Sequence, residues 1–338
     1  GNIRYRRGSG GSGEELYRLM PTGEPAFSPD NPRPEVPAVS GELKVAALNA
    51  LNFFTTLDEP GSSCGPSAIG CRGADNALEF ERQLAKLLLA VAAIDADGIG
   101  RIELENNAEA SLSVLADALN DAAGTEVWDY ISTGTIGGDA IKVGLLYKPA
   151  QATPVGSFAV LDASVDARFI DTENRPVLAQ TFRDADTAGL VTVAVTHLKS
   201  KGSPCTDIGD PNTGDGQGNC NLTRTSASLA TLEWLETDPT GSGSDNAMVI
   251  GDFNAYLRED PLEVYRDGGW SNLLELFVGL DAYTFLFDRQ VGALDHAVSS
   301  PSLTTQVVGT AIWHSNTDEA DAVDYNLDFV RIPNIFDG

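Results

Sequence analysis

Apolar runs and polar turns alternate along most of the chain and divide it into strands and helices. Apolar positions at helical spacing predict helices at Asp75–Ile94, Ala108–Ala122 and Thr223–Glu236. Short runs rich in β-branched residues predict strands at Leu43–Asn49, Gly98–Asn107, Val127–Ile131, Ile141–Tyr147, Val177–Phe182, Leu190–Thr196, Ala247–Ile250 and Gly292–Ser300. This mixed order is typical of a layered α/β domain.

The first helix is expected to begin at Asp75-Asn76, because Asp and Asn are favoured before the first helical turn. Its inner face is predicted from apolar residues at helical spacing. These residues are Leu78, Leu84, Leu87, Leu88, Val91 and Ala92.

Residues 1–40 differ from the remainder because they are rich in Gly, Pro and charge and lack apolar periodicity. The segment Gly8–Gly13 is typical of a flexible tether, and repeated prolines favour an extended chain. The prolines are Pro21, Pro25, Pro29, Pro32, Pro34 and Pro37. We therefore predict a flexible lead-in over residues 1–40 and one domain over residues 41–338.

The chain has 338 residues, 42% of them hydrophobic, which suffices for one large domain or two ordinary ones. No apolar run approaches membrane-spanning length, so no membrane partner is predicted, and no protein partner is evident either. No signal peptide is recognisable at Gly1, which indicates a mature or truncated chain.

The formal net charge of −27 argues against a partner bound mainly through Lys–phosphate and Arg–phosphate contacts. A metal-dependent nuclease is still compatible with this charge, because divalent cations and a few local cationic side chains carry its phosphate contacts. Excess acid is also compatible with solubility in a salty medium or with structural Ca²⁺. The Asp207–Asn221 loop is either such a Ca²⁺ site or solvated, and its spacing differs from that of an EF-hand.

Four cysteines form two close pairs, Cys64 with Cys71 and Cys205 with Cys220, in loops rich in Gly, Pro, Ser and Asp. We interpret them as two local disulfides formed in an oxidising, extracellular compartment. Zinc is the alternative, but the Cys-x-x-Cys spacing is absent and His197 is the sole nearby histidine.

The strongest candidate chemistry lies at Gly251-Asp252-Phe253-Asn254, directly after the Ala247–Ile250 strand. Gly251 permits a sharp turn, so that Asp252 and Asn254 emerge together at the strand end. A carboxylate and a carboxamide at this spacing suit phosphoryl chemistry: one holds water or a metal, and the other donates to a phosphate oxygen. An ordinary turn is the alternative, because Asp and Asn are common turn residues.

Other polar residues also lie at strand ends or edges. Asn49 ends the first strand, and alternation places Glu103 and Glu105 on one face, which suits either a cation or solvent. His197 ends another strand and is followed by Lys199 and Lys201, which would create a positive site in an acidic chain.

Two more acids are candidates near that site. Asp139, just before a strand, is placed to reach an active-site His. Alternation turns Asp295 away from Leu294 and His296.

These blocks, in this order, resemble the endonuclease/exonuclease/phosphatase superfamily, which has the pancreatic-deoxyribonuclease-like fold. The similarity is greatest to secreted bacterial extracellular deoxyribonucleases and covers about residues 41–329. It rests on Leu48-Asn49, Glu103, His197, Gly251–Asn254 and Leu294–His296, and on the further motifs Cys71-Arg72-Gly73-Ala74-Asp75, Glu79-Phe80-Glu81-Arg82-Gln83, His197–Lys201, Gly216–Asn221 and Trp313-His314.

The resemblance implies a four-layer α/β sandwich, with two mixed β-sheets face to face and helices outside. It also implies a divalent cation, Mg²⁺ or Mn²⁺, as cofactor, because the ligands are hard oxygen donors. Glu103 would be its principal ligand, with Asn49 and Asp252 as further ligands.

The resemblance implies in-line attack of water on a phosphodiester. Asp252 would orient or deprotonate the water, and His197 would donate to the developing charge or the leaving oxygen. The remaining implied roles are phosphate contacts and a supporting carboxylate. They fall on Asn49, Asn254, Arg175 and Lys199 for phosphate, and on Asp295 for the carboxylate.

The implied activity is a secreted, metal-dependent nuclease that degrades extracellular DNA, with endonuclease and exonuclease action both open. Two alternatives stay open: a phosphodiesterase of the same superfamily acting on a phospholipid or another phosphoester, and a non-catalytic binding protein on the same scaffold.

Relatives in the family close with a Ser-Asp-His strand, whereas this sequence ends at Asn334-Ile335-Phe336-Asp337-Gly338. We therefore expect a chain that lacks its final strand, leaves Asp295 without its usual His partner, and is weakly active or inactive. On strand alternation His296 does not replace that partner, and we interpret His314 as part of the scaffold.

Overall fold

The computed structural model describes residues 1–6, 16–24, 33–287, 290–317, 319 and 324–326. Some sequence predictions lie outside these residues. They are the Gly8–Gly13 tether, Pro25, Pro29, Pro32 and the pentapeptide at 334–338.

Contacts divide the chain into two compact units, residues 1–35 and 36–338. In the first unit, β1 (Asn2–Arg6) pairs antiparallel with β2 (Leu16–Met20). This hairpin lies in the segment for which the sequence pattern predicted a flexible lead-in.

The second unit contains the α/β architecture. Its helices are α1 (Ala77–Ile94), α2 (Ala110–Ala123), α3 (Asn221–Leu235), α4 (Asp260–Asp267), α5 (Leu273–Phe277) and α6 (Pro301–Thr304), with a 3₁₀ turn at Thr206–Ile208. Its strands are β3 (Val45–Phe53), β4 (Ser63–Cys64), β5 (Ile69–Gly70), β6 (Gly98–Glu105), β7 (Asp129–Tyr130), β8 (Ile141–Tyr147), β9 (Ala152–Leu161), β10 (Arg175–Asp184), β11 (Leu190–His197), β12 (Ala247–Asp252), β13 (Ser271–Asn272), β14 (Phe285–Phe287), β15 (Gln290–Gly292) and β16 (Asp295–Ser299).

Two larger sheets form the centre of this unit. One has the strand order β3-β6-β8-β7, and the other has the order β13-β16-β12-β11-β10-β9. The pairs β3–β6 and β11–β12 are parallel, while their neighbours are antiparallel, so both sheets are mixed. The β4–β5 and β14–β15 hairpins stand apart from these sheets.

Three apolar layers hold the sheets and helices together. Ile102 and Val143 from one sheet and Val195 and Ile250 from the other share the layer between the sheets. Helices α1 and α2 cover the outer face of the four-stranded sheet, and α3 and α4 cover that of the six-stranded sheet. The predicted four-layer α/β sandwich is confirmed.

Close approach of the two sheets depends on Gly100 in β6. A Cβ at this position would lie 2.9 Å from both Ile250 Cδ1 and Val195 Cγ2 of the opposite sheet. Real Cβ contacts are longer than this, so the site tolerates only glycine without movement of the facing strands.

The predicted start of α1 is confirmed, because the Asn76 side chain accepts a hydrogen bond from the Glu79 backbone N–H at 3.1 Å. The predicted inner face is only partly correct. Leu87 and Val91 are buried, but Leu78 is 59% exposed and Ala92 is exposed too. The polar residues Glu79 and Gln83 occupy the buried face instead.

Two strands differ from the sequence prediction. The Val127–Ile131 strand is reduced to β7, since only Asp129 and Tyr130 pair with β8. Strand β9 was missed because it lies at a sheet edge, carries Pro154 and Gly156, and exposes several of its residues.

Both predicted disulfides are present, Cys64–Cys71 and Cys205–Cys220, and no free cysteine remains to bind zinc. Nothing among the helices of the described residues is both long enough and apolar enough to span a bilayer.

Candidate active site

Four candidate residues form one row across the six-stranded sheet. Strand register pairs Arg175 with His197, His197 with Asp252, and Asp252 with Asp295. Neighbouring strands are about 4.8 Å apart, so the row crosses three strand spacings at the ends of these strands. The sequence predicted each residue separately, and the register brings them together.

Gly251 makes the exit of β12 possible. Its φ is +130°, and a Cβ there would lie 2.2 Å from the carbonyl oxygen of Thr196 on the parallel strand β11. A larger residue would therefore separate β11 from β12 and with them His197 from Asp252.

Asn254 holds the carboxylate of Asp252 from two sides. Its backbone N–H donates to Asp252 Oδ1 at 2.7 Å, and its side-chain Nδ2 lies 3.2 Å from Oδ2. Nδ2 also donates to the Leu198 carbonyl at 3.0 Å, and φ of Asn254 is +48°. Its amide is thus engaged in orienting Asp252, whereas the sequence predicted that it would hold phosphate.

On the facing sheet, β3 bends just after Asn49. Leu51 and Asn52 have φ of +50° and +53°, and Glu103 on β6 has φ of +62°. Positive φ is costly for such residues and is found where the surrounding structure enforces it, often at functional sites.

Hydrogen bonds fix this bend against Glu103. Asn49 Oδ1 accepts the Leu51 N–H at 2.8 Å, and Glu103 Oε2 accepts the Asn52 N–H at 3.0 Å. The backbone of the bend therefore orients both predicted metal ligands of this sheet.

Glu105, the second acid predicted on this face, has a different role. Its Oε2 accepts hydrogen bonds from the Thr55 N–H, the Thr55 hydroxyl, the Thr56 N–H and the Asn107 amide, at 2.7–3.0 Å. A β-bulge between Arg101 and Leu104 breaks the alternation that would have made the two acids equivalent. Glu105 therefore supports the loop after β3.

The carboxylates of the site are electrostatically coupled. Burial, followed by the charges of Asp295 and Glu103, raises the pKa of Asp252 well above its usual value. Burial and the charge of Glu103 raise the pKa of Asp295 to about 6. A site that disfavours its own negative charges to this extent attracts cations and retains protons.

His197 is neutral at neutral pH, because burial and then the charges of Arg175 and Arg72 lower its pKa well below the usual value. Its Nε2 lies 3.7 Å from Asp252 Oδ2, and its Nδ1 is buried with no hydrogen-bond partner among the described residues.

The sequence attributed a local positive charge at His197 to the two lysines that follow it. Lys199 instead pairs with Glu173 at 2.6 Å, and Lys201 pairs with Glu259. The positive charge that acts on His197 comes from the arginines.

Asp139, which the sequence placed within reach of an active-site His, forms its side-chain contacts with two arginines. Its Oδ2 accepts from Arg175 Nε at 3.0 Å, and its Oδ1 accepts from Arg72 Nη2 at 2.5 Å. Burial would raise the pKa of Asp139, but the charges of Arg175 and Arg72 outweigh it and lower the pKa.

The other histidines are structural. His296 is buried, with Nε2 2.9 Å from the Ala255 carbonyl and Nδ1 3.1 Å from Asn272 Nδ2, so it turns away from Asp295 as predicted. His314 stacks on Tyr283 with ring centroids 3.8 Å apart, which agrees with its interpretation as scaffold.

The acidic side chains of the site carry oxygen atoms of the type that hard divalent cations bind. Glu103, Asp252 and Asp295 supply carboxylate oxygens, and the raised pKa values of the two aspartates show that uncompensated negative charge is unfavourable there. No group of three or more His, Cys, Asp or Glu side chains in the described ranges is placed to hold a metal ion.

The acidic Asp207–Asn221 loop shows no comparable arrangement. Asp210 accepts hydrogen bonds from the backbone N–H groups of Leu222 and Thr223 and from the Thr223 hydroxyl, at 2.7–3.2 Å. It therefore binds the first turn of α3, a role to which Asp is suited.

Three residues at the site had no role predicted from the sequence. Arg72 contacts Asp139, Gln83 contacts the bend after Asn49, and the Thr284 hydroxyl accepts the Asp295 N–H at 3.1 Å. Arg72 and Gln83 lay in motifs quoted for the resemblance, which was the available signal. Thr284 had no such signal.

No protein-family description matches the chain, and no curated protein sequence matches it either. Solved structures do match. An endonuclease/exonuclease/phosphatase family protein from Bacteroides thetaiotaomicron is 16% identical, with 77% of this chain and 83% of that one covered and a TM-score of 0.50. The catalytic domain of human Nocturnin, solved with bound sulfate, is 17% identical, with 78% and 85% covered and a TM-score of 0.51.

The chain has the endonuclease/exonuclease/phosphatase fold. At this level of identity the likeness concerns the fold alone, and the resemblance inferred from the sequence motifs is confirmed to that extent. Within this fold, the row of Arg175, His197, Asp252 and Asp295 lies at strand ends of one sheet. The bend after Asn49, which contacts Glu103, belongs to the other sheet.

Proposed function

We propose that the protein is a divalent-metal-dependent phosphodiesterase that hydrolyses DNA, and that it belongs to the secreted bacterial branch of the superfamily. The observation that carries the proposal is the row Arg175, His197, Asp252 and Asp295, with Glu103 acting on it electrostatically from the other sheet. This set provides a carboxylate base, a neutral hydrogen-bond donor, a guanidinium group and oxygen ligands for a metal ion beside each other.

Asp252 is the proposed base. It is the last residue of β12 and lies between His197 and Asp295 in the row, where a carboxylate can accept a proton from water. Asn254 contacts both oxygens of this carboxylate and holds it in one orientation, which would fix the direction from which it accepts a proton.

His197 is the proposed donor to a phosphate oxygen. Being neutral, it would donate a single N–H without adding charge, and its Nε2 lies 3.7 Å from Oδ2 of the proposed base Asp252. Arg175, next in the row, binds a non-bridging oxygen through its planar guanidinium.

Glu103 would hold the divalent cation, with Asn49 and Asp252 as further oxygen ligands. When bound, the cation supplies positive charge that stabilises the charge developing on the phosphoryl oxygens. The bend after Asn49 orients Glu103 for this role.

Two disulfides support a location in an oxidising, extracellular compartment. Support for a phosphate-type substrate comes from Nocturnin, whose catalytic domain was solved with a bound sulfate, a tetrahedral oxyanion like phosphate.

The second candidate is a phosphoesterase acting on a small substrate such as a phosphorylated sugar or phospholipid headgroup. The net charge of −27 favours it, because a single phosphate is repelled less than a polyanion.

Hydrolysis of plasmid DNA, a short oligonucleotide and a set of small phosphoesters, each with Mg²⁺ or with excess chelator, tests the proposal. Metal-dependent cleavage of DNA that Asp252→Asn abolishes would support it. Metal-dependent cleavage of small phosphoesters with DNA untouched would establish the second candidate.

A further inference from the structure

Two arginines from distant parts of the chain converge on one carboxylate at the end of the catalytic row. Arg175 begins β10 directly opposite His197. Arg72 approaches the same point from the segment after β5, and Asp139 lies between the two guanidinium groups, at 3.0 Å from Arg175 Nε and 2.5 Å from Arg72 Nη2.

The Cys64–Cys71 loop brings Arg72 to this position. Arg72 directly follows Cys71, and both cysteines are buried in a small cluster with Ala140 and Ile141. The loop backbone packs so closely that a Cβ at Gly65 would lie 2.6 Å from Ala140 Cα and 2.8 Å from the Asp139 carbonyl oxygen. The disulfide loop is therefore docked on the segment that carries Asp139.

The charges of this cluster do not cancel. Two guanidinium groups and one carboxylate leave one net positive charge, whereas Lys199 and Lys201 nearby are paired one to one with glutamates. The side chain of Arg72 is 39% exposed, against 12% for Arg175. An accessible guanidinium with an excess positive charge thus lies beside the proposed site.

Asp139 also organises the pair. Its two oxygens each hold one arginine, and its Oδ1 accepts the Ala140 N–H at 2.6 Å, which fixes the carboxylate. Because the arginine side chains are ordered before any ligand binds, less conformational entropy is lost on binding an anion.

We propose that Arg72 is a substrate-binding residue that, with Arg175, binds a backbone phosphate next to the one that is cleaved. The inference rests on the proposed function and specifies how the site holds a nucleic-acid strand. Register places Arg175 two strands from Asp252, about 10 Å at the usual strand spacing, so the arginine pair lies beside the cleavage point.

The overall charge of the chain also favours a phosphate contact through these arginines. A chain with a net charge of −27 lacks the broad basic surface from which most nucleic-acid binders gain affinity. A few ordered arginines at the site are then the available source of phosphate contacts, and Arg forks bind phosphate in a bidentate manner.

The test combines binding and cleavage by Arg72→Gln and by Arg183→Gln as a matched control. Arg183 is an exposed arginine at the opposite end of β10 from Arg175. Binding of a fluorescent single-stranded oligonucleotide is measured in chelator over a range of salt concentrations, so that the result does not depend on catalysis.

We expect Arg72→Gln to weaken binding about 10- to 100-fold and to reduce the slope of log affinity against log salt by about 0.7, as for loss of one phosphate contact on a single strand. Arg183→Gln should leave both unchanged. Equal affinity and equal slope for Arg72→Gln and the unmodified chain would overturn the proposal.

Cleavage then locates the phosphate. Oligonucleotides carry a neutral methylphosphonate on the 5′ or the 3′ side of a single cleavable linkage. The loss in kcat/KM caused by Arg72→Gln should shrink markedly when the contacted phosphate is the neutral one. The same loss on every substrate would contradict a flanking-phosphate contact.

The disulfide provides a second variant. Replacing Cys64 and Cys71 together by Ser should reproduce the smaller salt slope of Arg72→Gln, because the loop that orders the guanidinium is released. An unchanged slope would show that the loop does not position Arg72.

Should the unmodified chain bind but fail to cleave DNA, the proposed function would be wrong while the binding result would still decide the role of Arg72.

Discussion

Asp252 and Asp295 occupy directly paired positions at the last residue of β12 and the first residue of β16. The charge of Asp295 helps to raise the pKa of Asp252, and Glu103 adds to the effect on both. Like charges held this close destabilise the fold unless a proton or a cation compensates them. The geometry that serves catalysis therefore has a cost in stability that can be measured.

Asp295→Asn should stabilise the protein at pH 8 by about 1–3 kcal/mol. The carboxyl titrates near 3.8 when exposed and at about 6 in the fold, so the folded chain keeps a proton that the unfolded chain has already lost. Unfolding free energy consequently falls as pH rises through this window, and the penalty is complete above it.

Denaturant unfolding at pH 8 and pH 4 checks this expectation, with Asp281→Asn, an exposed aspartate, as control. At pH 4 the Asp295 variant and the unmodified chain should be nearly equal in stability. A destabilised Asp295→Asn at pH 8 would show that the carboxylate makes favourable contacts that outweigh its repulsion.

Glu103 and Glu105 provide a matched pair for the metal site. Glu103→Gln should lower the affinity for Mn²⁺ and reduce the DNase rate by two orders of magnitude or more, because it removes the proposed principal ligand. Glu105→Gln should destabilise the fold by about 2–3 kcal/mol, since four donors rely on one of its oxygens, yet keep the metal affinity of the folded protein.

Mn²⁺ titration followed by electron paramagnetic resonance, together with thermal unfolding in Mg²⁺ and in chelator, measures these effects. Chelator should lower the melting temperature of the unmodified chain and of Glu105→Gln but not that of Glu103→Gln. Metal binding that survives in Glu103→Gln would transfer the ligand role to the aspartates.

Two buried histidines should respond in opposite ways to substitution. His197→Ala should reduce the rate by orders of magnitude while the fold survives, because its Nδ1 has no protein partner in the described chain and its Nε2 faces Asp252. Asp252→Ala should behave likewise. His296→Ala should destabilise the fold by about 1–3 kcal/mol through loss of its contacts to Ala255 and Asn272.

Rates per folded molecule, with the folded fraction taken from circular dichroism, separate the two effects. A His197 variant with near-normal rate would remove that residue from the catalytic set.

The sequence predicted the fold where pattern and packing agree. Ile141–Tyr147 matches β8 because every residue of that strand is buried and all but Lys142 are apolar, a pattern typical of such a strand. Prediction failed where polar residues do the packing. Leu78 was placed on the inner face of α1, but Glu79 and Gln83 lie there because they cap the helix and hold the bend after Asn49.

For the candidate site too, local patterns identified single residues but not their contacts. Asp252, His197 and Asp295 were found individually because each ends or begins a strand, but their common row depends on register, which no local pattern encodes. The pairing of Lys199 with Glu173 and the convergence of Arg72 on Asp139 join residues far apart in the chain. Such contacts change the local charge from the one that neighbouring residues in the sequence suggest.

Gln83 should act as a positioning residue for Glu103. Its Nε2 donates to the carbonyl oxygens of Ala50 and Leu51 at 3.1 and 2.8 Å, and so holds the positive-φ bend whose next N–H binds Glu103. Gln83→Met keeps the volume but removes the donor, and we expect a weaker Mn²⁺ affinity and a lower kcat with little change in KM.

Gln180→Met is the control, because Gln180 is about equally buried and donates to two backbone carbonyls, but lies in the middle of β10, away from the bend after Asn49. Both variants should lose a similar amount of stability, about 1–3 kcal/mol. Only Gln83→Met should change metal affinity, and an equal change in both would reduce Gln83 to a structural role.

Arg101 and Arg224 are both fully buried, yet their guanidinium groups differ in their partners. Arg224 donates to the carbonyl oxygens of Lys199, Gln217 and Asn219 at 2.7–3.1 Å. In Arg101, Nε, Nη1 and Nη2 all lack a hydrogen-bond partner among the described residues, and burial lowers its pKa to about 10.

Arg101→Met should therefore stabilise the protein. A pKa that is lower in the fold than in the unfolded chain means that folding disfavours the charged form, and at neutral pH this penalty is fully present. Replacing the guanidinium by an apolar side chain that fills similar space should raise the unfolding free energy by about 2–4 kcal/mol. Arg224→Met should lower it, because three carbonyl groups lose their donors. Urea unfolding of both variants at neutral pH measures the difference, and a destabilised Arg101→Met would mean that this guanidinium has a partner in the folded protein.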